Sequence, residues 1–178
     1  TTAGTQVRLG VSTVWTGSEL LVWGGAVDAK ALAEEQPEPS IPGQVFANGF
    51  AYNPATDRWR AIANAPISAR YGSAAVWTGT KMVVWGGAGA GADNYLTGGA
   101  SYDPRTDTWT SMASAPLQGV RFATAAWTGS RVLVFGGERS GNTAVAQSAL
   151  YDPASDTWTT VVPATDLNSG TQRATARA

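Results

Sequence analysis

Apolar residues fall along this chain in short bursts, each closed by paired glycines. Leu20–Trp23 precedes Gly24-Gly25, Met82–Trp85 precedes Gly86-Gly87, and Val132–Phe135 precedes Gly136-Gly137. A small-residue stretch ending in Trp15, Trp77 or Trp127 comes before each burst, and a Thr-Gly pair stands between the two. Runs this short, bounded by Gly and small polar residues, predict strands and turns instead of helices. The clearest copy is AVWTGTKMVVWGG at Ala75–Gly87. It predicts a strand to Trp77, a tight turn over Thr78–Thr80, a second strand Met82–Trp85 and a stop at the glycines. Gly79 supplies the positive φ such a turn needs at little steric cost.

The pattern then repeats at larger scale. A loop of variable length follows each glycine pair, and a third strand ends on Tyr in GFAYNPATDRW, GASYDPRTDTW and SALYDPASDTW. Trp59, Trp109 and Trp158 open a fourth strand, closed by Pro66, Pro116 and Pro163. Arg8, Arg70, Arg121 and Arg173 stand before successive units, 62, 51 and 52 residues apart. We name the strands of a unit A to D. The reading gives a connector at 1–7, a first unit at 8–69 with an inserted B–C loop, a second at 70–120 and a third at 121–162. The tail at 163–178 restarts strand A in QRATARA. A hairpin alone is marginal in water, so the copies are expected to be parts of one larger sheet assembly.

Composition narrows the chemistry more than it names it. The net charge is −1 and charged residues make up 14%, with no basic block, so neither nucleic acid nor an anionic membrane surface is indicated. No apolar run approaches the length of a membrane span. The opening on Thr1 without an initiator Met is read as a processed or trimmed terminus. Cys and His are both absent, which removes disulfides, thiol nucleophiles, the usual zinc and copper ligand sets and a Ser-His-Asp triad. No metal, cofactor or catalytic residue is nominated. The 21 Gly and 8 Trp fit many tight turns and large packed rings.

Structural explanations come first for the conspicuous residues. All the Trp residues recur at equivalent positions and are expected in the core and between units. Asn53-Pro, Asp103-Pro and Asp152-Pro, with Asp57, Asp107 and Asp156 four residues on, look like calcium loops at first glance. Asn and Asp at a turn more often bond their own backbone, and that is the reading adopted. The glycine pairs are not phosphate loops, because no helix N-terminus or Lys follows them.

The double glycines, the Tyr52/Trp59, Tyr102/Trp109 and Tyr151/Trp158 pairs, and the recurring Arg match the kelch period of roughly 50 residues. The chain resembles bacterial kelch-repeat proteins and galactose-oxidase-like central domains. That resemblance implies an all-β fold: a β-propeller arc of three four-stranded antiparallel blades, part of a six- or seven-bladed ring around a central channel. It also implies an exported protein, extracellular or periplasmic.

In such a meander the A–B and C–D turns lie at one end, and the B–C and D–A loops at the other. The first end is nearly uniform among the units; the second varies, and binding groups usually ride on variable loops held by a rigid frame. Candidate ligand contacts there are Arg70, Tyr71 and Arg121 at the starts of strand A, Asp93, Asn94 and Tyr95 in the second insertion, and Glu138, Arg139 and Asn142 in the third. Asp28, Lys30, Glu34, Glu35 and Glu38 belong to the first insertion, where AKALAEEQ favours a short helical turn before Pro37. The recurring Arg residues also have a structural reading, as donors to a neighbouring blade's carbonyls.

Three blades do not close a ring of the usual four to eight. An open face of about 400 Å² of apolar surface would cost about 10 kcal/mol. The faces are therefore expected to be covered, by further blades of a longer chain or by a second copy about a twofold axis. The functional expectation is a non-catalytic module binding a protein or glycan ligand through its B–C and D–A loops. The alternative is part of a carbohydrate-active kelch enzyme, mutarotase-like through Glu138 with Arg70 or Arg121, or oxidase-like, a reading the missing imidazole opposes. A purely architectural spacer is the third class.

Overall fold

The computed structural model describes residues 7–27 and 44–161. In chain order the strands are β1 (Ser12–Trp15), β2 (Leu20–Trp23), the short pair β3 (Ala26–Val27) and β4 (Gln44–Val45), then β5 (Gly49–Asn53) and β6 (Arg58–Ile62). The second unit holds β7 (Ala74–Trp77), β8 (Met82–Trp85), β9 (Gly99–Asp103) and β10 (Thr108–Ser111). The third holds β11 (Thr124–Trp127), β12 (Val132–Phe135), the pair β13 (Glu138–Arg139) and β14 (Thr143–Ala144), then β15 (Ser148–Asp152) and β16 (Thr157–Thr160). Each unit is one four-stranded antiparallel sheet in sequence order, the expected meander of strands A to D. The proposed helical turn at 29–36, the charged residues of the first insertion and the tail with Arg173 lie outside the described residues.

The recurring turns have recurring chemistry. At each A–B turn the Thr backbone N–H donates to the carbonyl three residues on, from Thr16 to Glu19 at 3.0 Å and from Thr78 to Lys81 at 2.9 Å. The Thr hydroxyl closes the same loop from the side, accepting from the backbone N–H of Lys81 at 3.0 Å. At each C–D turn the Asn or Asp before Pro accepts from a backbone N–H two residues on, at 2.9 Å in all three blades. The Asn or Asp before each Pro is thus used in the turn. No cluster of metal-ligating side chains occurs among the described residues.

Two interleaved cores join the blades. One face of blade 1, through Leu21, Trp23 and Ile62, packs against Met82, Val84 and Tyr102 of blade 2. The other face of blade 2, through Val83 and Trp85, packs against Val132, Val134 and Tyr151 of blade 3. Trp23 reaches Trp109 at a ring distance of 5.5 Å, and Trp85 reaches Trp158 at 6.1 Å. Six of the Trp residues sit in these layers as expected, whereas Trp15 and Trp59, on the far face of blade 1, are 51% and 39% exposed.

A polar clamp ties each blade to the one before it. Asp107 accepts from the Ala63 backbone N–H at 2.9 Å, while Trp109 Nε1 donates to the Ala63 carbonyl at 2.8 Å. Asp156 and Trp158 hold both backbone groups of Ala113 in the same way, at 2.8 and 3.0 Å. The Asp in turn accepts from its own blade's Tyr, with Tyr102 to Asp107 at 2.7 Å and Tyr151 to Asp156 at 2.8 Å. Each Asp of the trio is left-handed, at φ +50 to +52°, which aims its carboxylate at both donors. The period of six residues between Tyr and Trp, legible in the sequence, is therefore the geometry of a grip on a neighbour.

The clamp has a pH signature. Burial, the Asp107 carboxylate and its hydrogen bond outweigh the nearby Arg60 and push the Tyr102 phenol up to about 12 from its ordinary 10.0. The Tyr151 phenol is pushed up too, by burial first and by Asp156 second. The unfolded chain releases these protons near pH 10 and the folded chain holds them longer. Their stabilising contribution is thus complete below pH 10 and is lost as pH rises through the folded values. The thermal midpoint is expected to fall as pH rises above 10, and Tyr102→Phe to flatten that fall. An equally steep fall in the variant would exclude Tyr102 as a source.

Candidate functional site

The B–C loops meet the starts of strand A at one end of the blades. Isolated bridges pair Leu9 with Ala26, Tyr71 with Ala88 and Arg121 with Glu138. Backbone bonds also run from blade to blade, with Gly72 N–H donating to the Gly10 carbonyl at 2.7 Å and Phe122 N–H to the Gly72 carbonyl at 2.6 Å. These contacts fix the true register of the repeat. Gly25 N–H donates to the Arg70 carbonyl, and the equivalent Gly87 N–H donates to Val120, not Arg121. The equivalent triads are therefore Arg8-Leu9-Gly10, Arg70-Tyr71-Gly72 and Val120-Arg121-Phe122. The expectation that Arg121 repeats Arg70 is corrected: Val120 and Trp127 are spaced as Arg70 and Trp77 are, so blade 3 carries Val at the Arg position and its Arg one place later, where blade 2 has Tyr71.

Standing at two different positions of the repeat, the Arg residues have two different roles. Arg70 is buried, 3% exposed. Its Nε donates to the Ser68 carbonyl at 2.9 Å, and its Nη1 to the carbonyls of Gly86 at 2.9 Å and Gly98 at 2.8 Å. Burial pulls its guanidinium down to about 10, still cationic at neutral pH. Arg8 donates likewise to Gly24 and Asn48, under the Phe46 ring. Arg70 thus takes the structural reading, its guanidinium committed to backbone carbonyls away from the surface.

In blade 3 the guanidinium's place is taken by a side chain from another strand. Gln147 Nε2 donates to the Gln118 carbonyl at 3.1 Å and to the Gly136 carbonyl at 3.4 Å. These are the positions of Ser68 and Gly86 in blade 2. Gln147 Oε1 also accepts from Gln118 N–H at 2.9 Å. With those carbonyls served, Arg121 is released into the mouth. There its Nη1 donates to the Tyr71 hydroxyl at 3.1 Å, its Nε to Glu138 Oε1 at 3.1 Å and its Nη2 to Asn142 Oδ1 at 3.4 Å. Burial lowers its affinity for the proton, but the Tyr71 hydroxyl and the Glu138 charge outweigh that and hold it above the ordinary value.

Beside this cluster stands Phe122, 53% exposed and at φ +56°, where the other blades have Gly10 and Gly72. A large side chain in the left-handed region costs about 1 kcal/mol or more, and such strain concentrates at functional sites. Tyr71 meets the Phe122 ring edge-on at 6.4 Å, and the Arg121 guanidinium lies 5.3 Å from its centroid. Arg139 lies 5.2 Å from the Tyr95 centroid and donates to Gln118 Oε1 at 3.2 Å. Asn94 is turned inward to its own loop, donating to the Ala90 carbonyl at 3.1 Å, and Asp93 is exposed at the loop tip.

The structure thus brings together Tyr71, Arg121, Glu138 and Asn142, and sets Tyr95 with Arg139 beside Gln118. It separates Arg70 from all of them. Sequence reasoning missed Phe122, Gln147 and Leu9, which is 60% exposed. Counting back from Trp15, Trp77 and Trp127, instead of from each Arg, would have put Phe122 on the glycine position. Nothing in the sequence marks Gln147 as a stand-in for an arginine.

No helix among the described residues is long and apolar enough to cross a membrane, which says nothing of a β-barrel. A search of curated proteins gives no match. Among solved structures, one titled "Structure of YjhT" superposes with a TM-score of 0.71 at 18% identity. The match covers 91% of this chain and 54% of that one, so this chain spans about half its length. The family model described as the KLHDC2/KLHL20/DRC7 Kelch-repeats domain matches residues 10–177. With its three like-built four-stranded blades, its clamp and its double glycines, this chain belongs to the kelch-repeat family and folds as an arc of β-propeller blades.

Proposed function

We propose that this is a non-catalytic recognition module whose ligand is a protein segment held at the mouth where the B–C loops meet the starts of strand A. The observation that carries the reading is the change of residues in blade 3, with Val120, Arg121 and Phe122 where blade 2 has Arg70, Tyr71 and Gly72. It places a partly exposed guanidinium and a strained, exposed aromatic ring side by side, while Gln147 takes over the duty of the lost structural arginine. An exposed Phe with an Arg beside it is the composition of a binding hot spot. Glu138, the group an acid–base enzyme would use, is already engaged with Arg121. The expected absence of His and Cys chemistry points the same way.

Phe122→Gly tests this directly, because it restores the residue of the other two blades. Selection from a displayed peptide library is expected to enrich a common sequence on the wild-type chain, with Phe122→Gly and Arg121→Ala each weakening that peptide about tenfold or more. Phe122→Gly should keep or raise the thermal midpoint, since it relieves the strain. Undiminished peptide binding by both variants would sink the mouth as the site. Glycan-array binding lost in the same variants would replace the protein ligand by a sugar. Anomerisation of a sugar abolished by Glu138→Gln would replace the module by an enzyme.

A further inference from the structure

The end of the blades away from the mouth carries two cavities that the repeat has made alike. One is lined by blades 1 and 2 and holds about 290 Å³; the other is lined by blades 2 and 3 and holds about 280 Å³. Their linings match place for place. Ser18 and Thr80 of successive A–B turns stand at one position, Trp77 and Trp127 at a second, Pro104 and Pro153 at a third. Thr80 lines both cavities, so the two adjoin along the row of turns. Each is at the low end of the range of about 300–1,000 Å³ in which small molecules bind.

What each cavity offers is decided by the groups the fold has not engaged. Trp23, Trp109 and Trp158 give their indole N–H to backbone carbonyls. Among the described residues Trp77 and Trp127 make no such bond, and neither N–H is buried from water. Both rings are fixed by packing against the two cores. The Thr16 and Thr78 hydroxyls are engaged inside their turns, which leaves the Ser18 and Thr80 position to face a ligand. Each cavity also has one cation that forms no ion pair among the described residues, Arg105 in the first and Lys81 in the second. Glu19, which stands in the first cavity where Lys81 stands in the second, is held by Arg60 at 2.8 Å.

We propose that this row of turns binds an acidic glycan, a chain of uronic-acid rings laid across Thr80 with one ring in each cavity. The C–H face of a pyranose packs on the indole, its hydroxyls meet the Thr80 hydroxyl and the indole N–H, and its carboxylate meets Arg105 or Lys81. A chain that enters both cavities gains over a single ring, because the second contact is intramolecular. An extended peptide suits the row less well. Peptides are held largely through their main chain, and the turns' own N–H groups are already engaged, those of Ser18 and Glu19 by the Thr16 hydroxyl and that of Lys81 by the Thr78 hydroxyl. The uniformity of this end, which reads in the sequence as frame, is thus what repeats a subsite. The inference stands apart from the mouth, since it uses the opposite end of the blades and none of the same residues.

Calorimetric titration of the full chain with oligogalacturonate tests it. An oligomer long enough to cross both cavities is expected to bind about tenfold or more tightly than galacturonate itself. Arg105→Ala and Lys81→Ala are each expected to weaken the oligomer about tenfold, the loss of one charge-assisted hydrogen bond. Both variants should keep the wild-type thermal midpoint, because each residue serves its turn through its backbone N–H. Phe122→Gly, at the mouth, should leave the oligomer's affinity unchanged, so failure here and failure of the mouth are told apart. Absence of binding, or an affinity indifferent to both Arg105→Ala and Lys81→Ala, would overturn the proposal. Equal affinity for a neutral galactan would overturn its acidic ring, and a displayed peptide lost in the same two variants would put a protein segment in the glycan's place.

Discussion

Arg70→Ala is expected to lower the unfolding free energy by about 3 kcal/mol, through three charge-assisted hydrogen bonds lost at a buried position, although Gly86 keeps the Ser73 hydroxyl and Gly98 keeps the Gly86 N–H. The guanidinium serves Ser68, Gly86 and Gly98 at once from a position only 3% exposed, so water cannot readily take its place. Part of the loss is offset, because the variant no longer buries a charge. Arg121→Ala is expected to change stability by less than about 1 kcal/mol, since its partners are side chains in a partly exposed mouth. Urea denaturation of the two variants checks the contrast. Equal losses would mean that Arg121 is as structural as Arg70 and would remove the physical basis for a ligand site. Putting the repeat back in blade 3, by Val120→Arg with Gln147→Gly, should yield a folded protein and would show that the two solutions are interchangeable.

The second large effect is expected at Trp109. Its ring packs between Tyr102 at 5.1 Å and Trp23 at 5.5 Å, and its indole N–H holds the Ala63 carbonyl. Trp109→Ala should cost about 3–5 kcal/mol, as for other large core truncations. Trp109→Phe should cost only about 1 kcal/mol, the share of the lost hydrogen bond. Amide hydrogen exchange should show the alanine variant opening at the boundary of blades 1 and 2, while the sheet of blade 3 stays protected, because blades contact only their neighbours. Uniform loss of protection across all three sheets would show that the arc folds as one indivisible unit.

The contrast between these residues also shows what a sequence can and cannot carry. The turns, the strand order and the Tyr-to-Trp spacing were legible because each is local, set by a few adjacent residues with fixed backbone demands. Asn53 and Asp103 could be assigned to turns on the same local ground. The mouth was legible only as a place. Arg121 was placed there for the wrong reason, as a repeat of Arg70, because an Arg before a small-residue strand looks alike one position earlier or later. Two residues one place apart on an extended strand point to opposite sides, and partners such as Gly87 and Val120 reveal which place each Arg holds. Gln147 was beyond reach for a deeper reason. It substitutes for a guanidinium from the far side of the same sheet, and no pattern along the chain links the two positions.

One property of the clamp reaches past this chain. Asp107 and Trp109 take hold of an amide and a carbonyl of the main chain, and the methyl group of Ala63 plays no part in those two bonds. Recognition of that kind is indifferent to what the neighbour encodes. A gene that gains or loses one such segment by unequal recombination needs no matching mutation next door for the new junction to bond, so lineages can change the number of segments while leaving each one's sequence to drift.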